Sequence, residues 1–287
     1  MDISVYITSY NQKNFLKQAI DSVISQTLKP IEIIIIDDAS TDGSDKLIEE
    51  YERTYDKWIK PIYNTSNKGI SFCRNLAIAK ATGKYLTWVD GDDFFFPQKL
   101  EKEAALLEDG RYQIAFSNYY LSENDLFSFK SIWANSISDF PQKGTMFEQV
   151  LTRKFPRGML YRSELIERDY IYKVGGYDTD LNIYEDYDLR IRLSKLCNIN
   201  YTIEPLSIYR LHPAGLSKAS KGKHYDAFKY IFEKYKNEVT ALKKANREKV
   251  ELEISKLMES RSTKNTPDKL TLKDRIKMKL INGINRI

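Results

Sequence analysis

The chain has 287 residues, of which 42% are hydrophobic and 30% charged, and it carries a formal net charge of +5. That is enough for one large domain, or a domain plus an appendage, with a sizeable core. No apolar run approaches the ~20 residues that span a bilayer, and Cys73, Cys197, His212 and His224 stand in no CxxC or Cys/His zinc pattern.

The N-terminal stretch "MDISVYITSY" lacks a basic n-region and an apolar h-region, so no signal peptide is expected. Ile3, Val5 and Ile7 alternate with polar neighbours and predict a strand. After "SYNQKN", the spacing of Leu16, Ile20, Val23 and Thr27 predicts a helix. "IEIIIIDD" is a continuous β-branched run, the mark of a strand buried on both faces. "STDGSDKLIEEYERTY" opens with turn and capping residues and continues as a helix. "IKPIYN" predicts a short strand, "ISFCRNLAIAKAT" a helix ended by Gly83, and "KYLTWVD" a further strand. Pro97 suits the first turn of a helix running to Leu107. Both cysteines fall in helical patterns and are expected to be reduced core residues of a cytoplasmic protein.

Beyond Tyr112, "QIAFSNYYL" predicts a strand, residues 122–145 a polar-aromatic loop, "GMLYR" a strand and "SELIERD" a short helix. "KVGGYDTDLNIYEDYDLRIRLSKLC" reads as a glycine turn, a loop and a helix carrying Leu189, Leu193 and Leu196. A long charged helical stretch begins near Tyr225, and "STKNTPD" reads as a linker. The 19 Lys/Arg and 9 Asp/Glu from Lys218 onward leave 26 and 31 for residues 1–217, so an acidic body precedes a basic tail. In "TLKDRIKMKLINGINRI", Leu272, Ile276, Leu280 and Ile284 form an apolar stripe flanked by Lys273, Arg275, Lys277 and Lys279. Such a helix suits an anionic membrane surface, or packs back on the body or pairs two subunits.

Alternation of strands and helices predicts an α/β domain over residues 1–217, with a mostly parallel sheet and a basic, mostly helical extension over 218–287. Ligands of such sheets bind beyond the carboxyl ends of the strands. There the sequence places "TSYN", "DDASTDGS" and "DGDD". Asp90, Asp92 and Asp93 repel one another unless a positive partner sits among them. Gly91 permits a tight backbone there, and the carboxylates suit Mg²⁺ or Mn²⁺ arriving with a diphosphate. An isolated DxD is otherwise a solvated acidic turn.

Three stretches, "SVYITSYNQKNFLKQAIDSVISQTLKPIEIIIIDDASTDGS", "NKGISFCRNLAIAKATGKYLTWVDGDD" and "GGYDTDLNIYEDYDLRIRL", together resemble the inverting family 2 glycosyltransferases of GT-A fold. The resemblance covers roughly residues 1–217 and implies a Rossmann-like nucleotide-binding sheet. It implies a nucleotide-sugar donor, a UDP-sugar, and a surface-glycan or lipid-linked saccharide acceptor. Asp38 would then accept from the donor's base, with Thr8 and Tyr10 lining the pocket and Arg74 near the base or diphosphate. Asp90 and Gly91 would meet the nucleotide sugar, and Asp92 would bind Mn²⁺ or Mg²⁺. Asp93 would stand behind them, with Asp37 structural. His212 would join the metal or contact the diphosphate, or be an ordinary packed residue, and His224 would be surface. Asp186 would be the catalytic base, within reach of the acceptor hydroxyl. Its structural alternative is a dipole-complementing residue paired with Arg190 one turn on, a pairing that could equally orient the base. Glu185 and Asp188 fit that structural role. No nucleic-acid partner is expected. The rival readings are a sugar-phosphate nucleotidyltransferase, which "TSYNQKN" does not support for want of a glycine-rich basic loop, and a non-catalytic nucleotide- or glycan-binding module.

Overall fold

The computed structural model describes residues 1–252 except 124–125, 127, 214, 216–218, 245–246 and 249. The chain divides into two compact units, Met1–Lys218 and Ala219–Ile287. In the first, strands β1 (Ile3–Ser9), β2 (Glu32–Asp37), β3 (Ile59–Tyr63) and β4 (Tyr85–Asp90) lie parallel in the order β3-β2-β1-β4. Helices α1 (Lys13–Ile24), α2 (Ser44–Thr54) and α3 (Ile70–Lys80) connect them. Every residue of β1 and β2 is buried, so the unbroken isoleucine run of β2 meets protein on both faces. Leu16, Ile20 and Val23 of α1 join Ile3, Val5, Ile33 and Ile35 in the core. Thr27 lies past the end of α1, where its amide donates to the Pro97 carbonyl instead.

Beyond β4 the sheet becomes mixed. After β5 (Phe94–Phe95) and α4 (Lys99–Ala105) come β6 (Ile114–Glu123), β7 (Phe129–Ile132), α5 (Phe147–Leu151), β8 (Leu165–Glu167), α6 (Arg168–Lys173), α7 (Glu185–Ser194) and β9 (Ile199–Leu211). The order continues β4-β8-β6-β9-β5, with β7 on β6; β6 and β9 run parallel and the other pairings are antiparallel. The expected parallel sheet is therefore the N-terminal half.

Local readings depart from the structure in this half. "SELIERD" is not one helix: Leu165 and Ile166 are fully buried and form a strand between β4 and β6, with Ile166 opposite both Leu86 and Ile114 and Leu165 opposite Ala115, before α6 starts. Tertiary pairing overrides local propensity there. "GMLYR" follows a tight turn at Pro156–Gly158 and forms no strand. The loop expected over 122–145 holds β7 and a 3₁₀ turn at Ile137–Asp139. Strand β9 went unread because Pro205 interrupts its pattern; the register with β6 shifts around Asn118, its partner.

In the second unit, α8 (Lys221–Lys234) starts at Ser220, whose hydroxyl accepts from the Lys223 amide, and α9 (Lys236–Ala241) follows. Phe228, Ile231, Phe232 and Tyr235 share one buried stripe at helical spacing. The apolar stripe with basic flanks at Leu272–Ile284 lies outside the described residues.

Candidate active site

Parallel register brings the carboxyl ends of β1, β2 and β4 level: Thr8 pairs with Asp90 and Ile36, and Ser9 with Asp37. The Gly91 amide donates to the Thr8 carbonyl at 3.1 Å. A Cβ at Gly91 would lie 3.1 Å from that carbonyl oxygen and 2.5 Å from Gln12 Oε1, so glycine lets β1 approach the acidic turn this closely without displacing either. Asp38 is buried where β2 ends; its carboxylate accepts from Asn64 Nδ2 and the Lys68 amide, each at 2.8 Å, and from the Gly69 amide at 2.9 Å. It therefore orders the loop that launches α3, with Gly69 at φ +85°. Tyr10 stands half exposed beyond this edge.

One-sided oxygens of Asp90, Asp92 and Asp93 lie within 4.8 Å of one another. Arginines supply the positive charge among them. Arg74 of α3 meets Asp90 Oδ1 at 2.8 Å, and Arg162 meets Asp90 Oδ2 at 3.1 Å and Asp93 Oδ2 at 3.2 Å. The Arg210 amide donates to Asp93 Oδ1, and its guanidinium to the Asp92 carbonyl. Burial, opposed by Arg162 and reinforced by Asp92 and Asp90, pushes the Asp93 carboxyl up to about 8. Asp92 differs: among the described residues its carboxylate meets His212 Nε2 at 2.7 Å and no arginine side chain. Carboxylate oxygens suit Mn²⁺ or Mg²⁺, and the His212 nitrogen beside Asp92 adds a further donor atom, so the residues present are compatible with the expected cation. Among the described residues, Ser9 Oγ, Asp37 Oδ1, Arg74 Nε and Arg162 Nε are buried polar atoms near this edge without a hydrogen-bond partner.

Arg74 also ties this turn to α7. Its Nη1 lies 3.1 Å from Glu185 Oε1, and its guanidinium stands 5.5 Å from the Trp88 ring and 5.3 Å from the Tyr177 ring. Burial, with Arg74 opposing and Asp186 adding, raises the Glu185 carboxyl to about 7. Asp186 behaves oppositely. Burial alone would raise it, but Arg190, then Arg74 and Arg162, hold it at about 2, so it is ionised at neutral pH. Its Oδ2 accepts from Arg190 Nη1 at 2.5 Å and its Oδ1 from the Tyr187 amide at 2.8 Å, while 24% of the side chain stays exposed. Asp188 is fully buried against Arg192.

The fold thus brings Thr8, Asp38, Arg74, Asp90, Gly91 and Asp92 to the carboxyl edge of β1, β2 and β4, with His212 joined to Asp92 and Arg74 linking the turn to Glu185 beside Asp186. Sequence reasoning missed Arg162, Glu164 and Arg210. The first two stand in "YRSEL", a stretch with no pattern of its own, and Arg210 lies two residues before His212.

The Glycosyl transferase family 2 model matches residues 4–169. The Bacillus subtilis (strain 168) protein "Putative glycosyltransferase EpsE" is 42% identical over 113 residues, 39% of this chain and 41% of that protein. "Uncharacterized glycosyltransferase EpsJ" of the same organism is 28% identical over 222 residues, 75% of this chain and 63% of that protein. The chain thus spans less than two thirds of the length of these relatives. Among solved structures, S. aureus TarS 1-349 in complex with UDP-GlcNAc is similar with a TM-score of 0.66 at 17% identity, over 96% of this chain and 78% of that one. That likeness shows the fold, an α/β sheet of GT-A type. With more than half of its length matched by the family model, the chain belongs to glycosyl transferase family 2.

Proposed function

We propose that this chain is an inverting glycosyltransferase that moves a sugar from a UDP-sugar to a hydroxyl of a saccharide or lipid-linked glycan in surface polysaccharide synthesis. The observation that carries the reading is a pair of unlike carboxylates, one in the acidic turn and one in α7, on two segments that Arg74 ties together through Asp90 and Glu185. Asp92 faces His212, and Asp186 is ionised, part-exposed and fixed at both oxygens. The TarS structures with UDP and UDP-GlcNAc support the choice of donor class.

Thr8, Tyr10 and Asp38 form the base end of the donor pocket, and Asp38 sets it by ordering residues 64–69. Asp90 and Gly91 face the nucleotide sugar, with Arg74 fixing Asp90. Asp92 and His212 would hold Mn²⁺ or Mg²⁺, which when bound neutralises charge on the leaving diphosphate. Asp186 takes the proton of the acceptor hydroxyl as its oxygen bonds to the anomeric carbon. The bond from that carbon to the diphosphate oxygen breaks on the opposite face, and UDP departs with the electron pair. A nucleotidyltransferase would not need such a base.

Among the described residues no helix is long and apolar enough to cross a membrane. The apolar stripe of Leu272, Ile276, Leu280 and Ile284, with Lys273, Arg275, Lys277 and Lys279 flanking it, supports a peripheral site on the inner membrane face, reached through anionic lipid. Sedimentation with anionic vesicles, comparing the full chain with one ending at Asn265, tests this; equal binding would remove the tail as anchor. For the catalytic reading, Asp186→Asn should keep UDP affinity and cut turnover at least ~10²-fold, the low end for a lost general base. Loss of donor affinity instead would move the base elsewhere.

A further inference from the structure

A fully buried pair lies behind Asp186. Arg190 gives its Nε and Nη2 to the two oxygens of Glu164, at 2.8 and 2.9 Å, and only Nη1 to Asp186. Its guanidinium stands 5.6 Å from the Trp88 ring and 5.1 Å from the Tyr161 ring, which fix its plane. Glu164 is fixed in turn. The preceding Ser163, at φ 50°, has a carbonyl gripped by Lys99 Nζ at 2.6 Å and Thr87 Oγ1 at 2.8 Å. Residues 162–164 therefore deliver a cation to the acidic turn and an anion to Arg190. An isolated pair of this kind contributes little stability over an apolar one, which turns attention to what it orients.

We propose that Glu164 is a positioning residue for the base: it holds Arg190 in a two-point grip and offsets its charge, so that Arg190 aims Asp186 while weakening its affinity for the acceptor's proton less than an uncompensated arginine would. This rests on the assignment of Asp186 as base. The charged and titratable groups facing Asp186 are Arg190 and Glu185 on α7, Arg74 from α3, and Arg162 and Tyr161 from the segment before β8. Of these groups, Arg190 is the one that bonds to it directly among the described residues.

The test measures UDP release as a function of donor concentration and of pH for Glu164→Gln, the double variant Glu164→Gln/Arg190→Gln, and Asp186→Asn. Glu164→Gln should lower kcat about tenfold or more with donor KM within about threefold, because Arg190 then acts on Asp186 uncompensated. The double variant removes both members of the buried pair, so neither is left without its partner, and it keeps the test open if the single variant does not fold. Its acidic limb should rise by about 1–3 pH units, the effect of losing one adjacent opposite charge. Wild-type turnover in Glu164→Gln, or an unmoved acidic limb in the double variant, would overturn the positioning role. A rise in donor KM at unchanged kcat would do the same. Asp186→Asn reports on the assignment beneath: if it turns over normally, the base reading fails and this proposal with it.

Discussion

Asp38→Asn separates holding the loop from holding the nucleotide. The wild-type carboxylate takes two donors on Oδ1 and the Gly69 amide on Oδ2. An asparagine that keeps its oxygen toward Asn64 and Lys68 turns an amide donor toward the Gly69 N–H, where the separation is now 2.9 Å. Flipping it sets a donor against two donors. At least one buried N–H loses its acceptor, a cost of about 1–3 kcal/mol. For a unit of this size that corresponds to a Tm drop of about 2–12 °C. Trp58, Trp88 and Trp133 are the chain's three tryptophans and all lie in the first unit, so tryptophan fluorescence in urea reports on that unit alone. Because Asp38 launches α3, which carries Arg74, UDP affinity should fall about tenfold as well. A stability change under 0.5 kcal/mol, on the order of the smallest surface effects, would refute the loop argument. A full stability loss with unchanged UDP affinity would make Asp38 structural only.

Glu32, fully buried at the opposite end of β2, accepts from Ser4 Oγ, the Thr82 amide and hydroxyl, and Lys60. Burial raises it, but Lys60, Ser4 and Thr82 outweigh that and hold it at about 2 against an ordinary 4.5. Its contribution is therefore complete above pH 4.5 and lost as pH falls toward 2. With Lys60 half exposed, Glu32→Gln should cost about 2 kcal/mol at pH 7, and urea unfolding should show the gap closing at lower pH; a gap constant with pH would contradict the linkage. Gly91→Ala drives a Cβ against the Thr8 carbonyl and should destabilise by about 1–3 kcal/mol while lowering turnover, read by thermal unfolding and UDP release. A wild-type Tm would show that β1 and the acidic turn can separate freely.

The N-terminal half was legible because its signals are local. The isoleucine run of β2 and the apolar spacing of α1 each announce an element, and parallel alternation puts their polar ends on one edge. The second half was not, because its elements exist through pairing. β8 is three residues long and is a strand only between β4 and β6. The same limit applies to the site. Asp92 and Asp186 stand in recognisable patterns, whereas Arg162 and Glu164 reach their partners from a segment fixed by Lys99, 64 residues before Ser163. The sequence posed the question of what neutralises Asp90, Asp92 and Asp93. It pointed to a cation for all three, but the structure gives arginines to Asp90 and Asp93 and sets Asp92 with His212.

UDP release from a panel of UDP-sugars, measured with Mn²⁺, with EDTA, and with Asp92→Asn in Mn²⁺, tests the central claim most directly. Release by the wild type in Mn²⁺ is expected, with near-complete loss both on chelation and in the variant, while Asp92→Asn stays folded because the residue lies on a turn at the sheet edge. Undiminished release in EDTA, or wild-type turnover by Asp92→Asn, would contradict it.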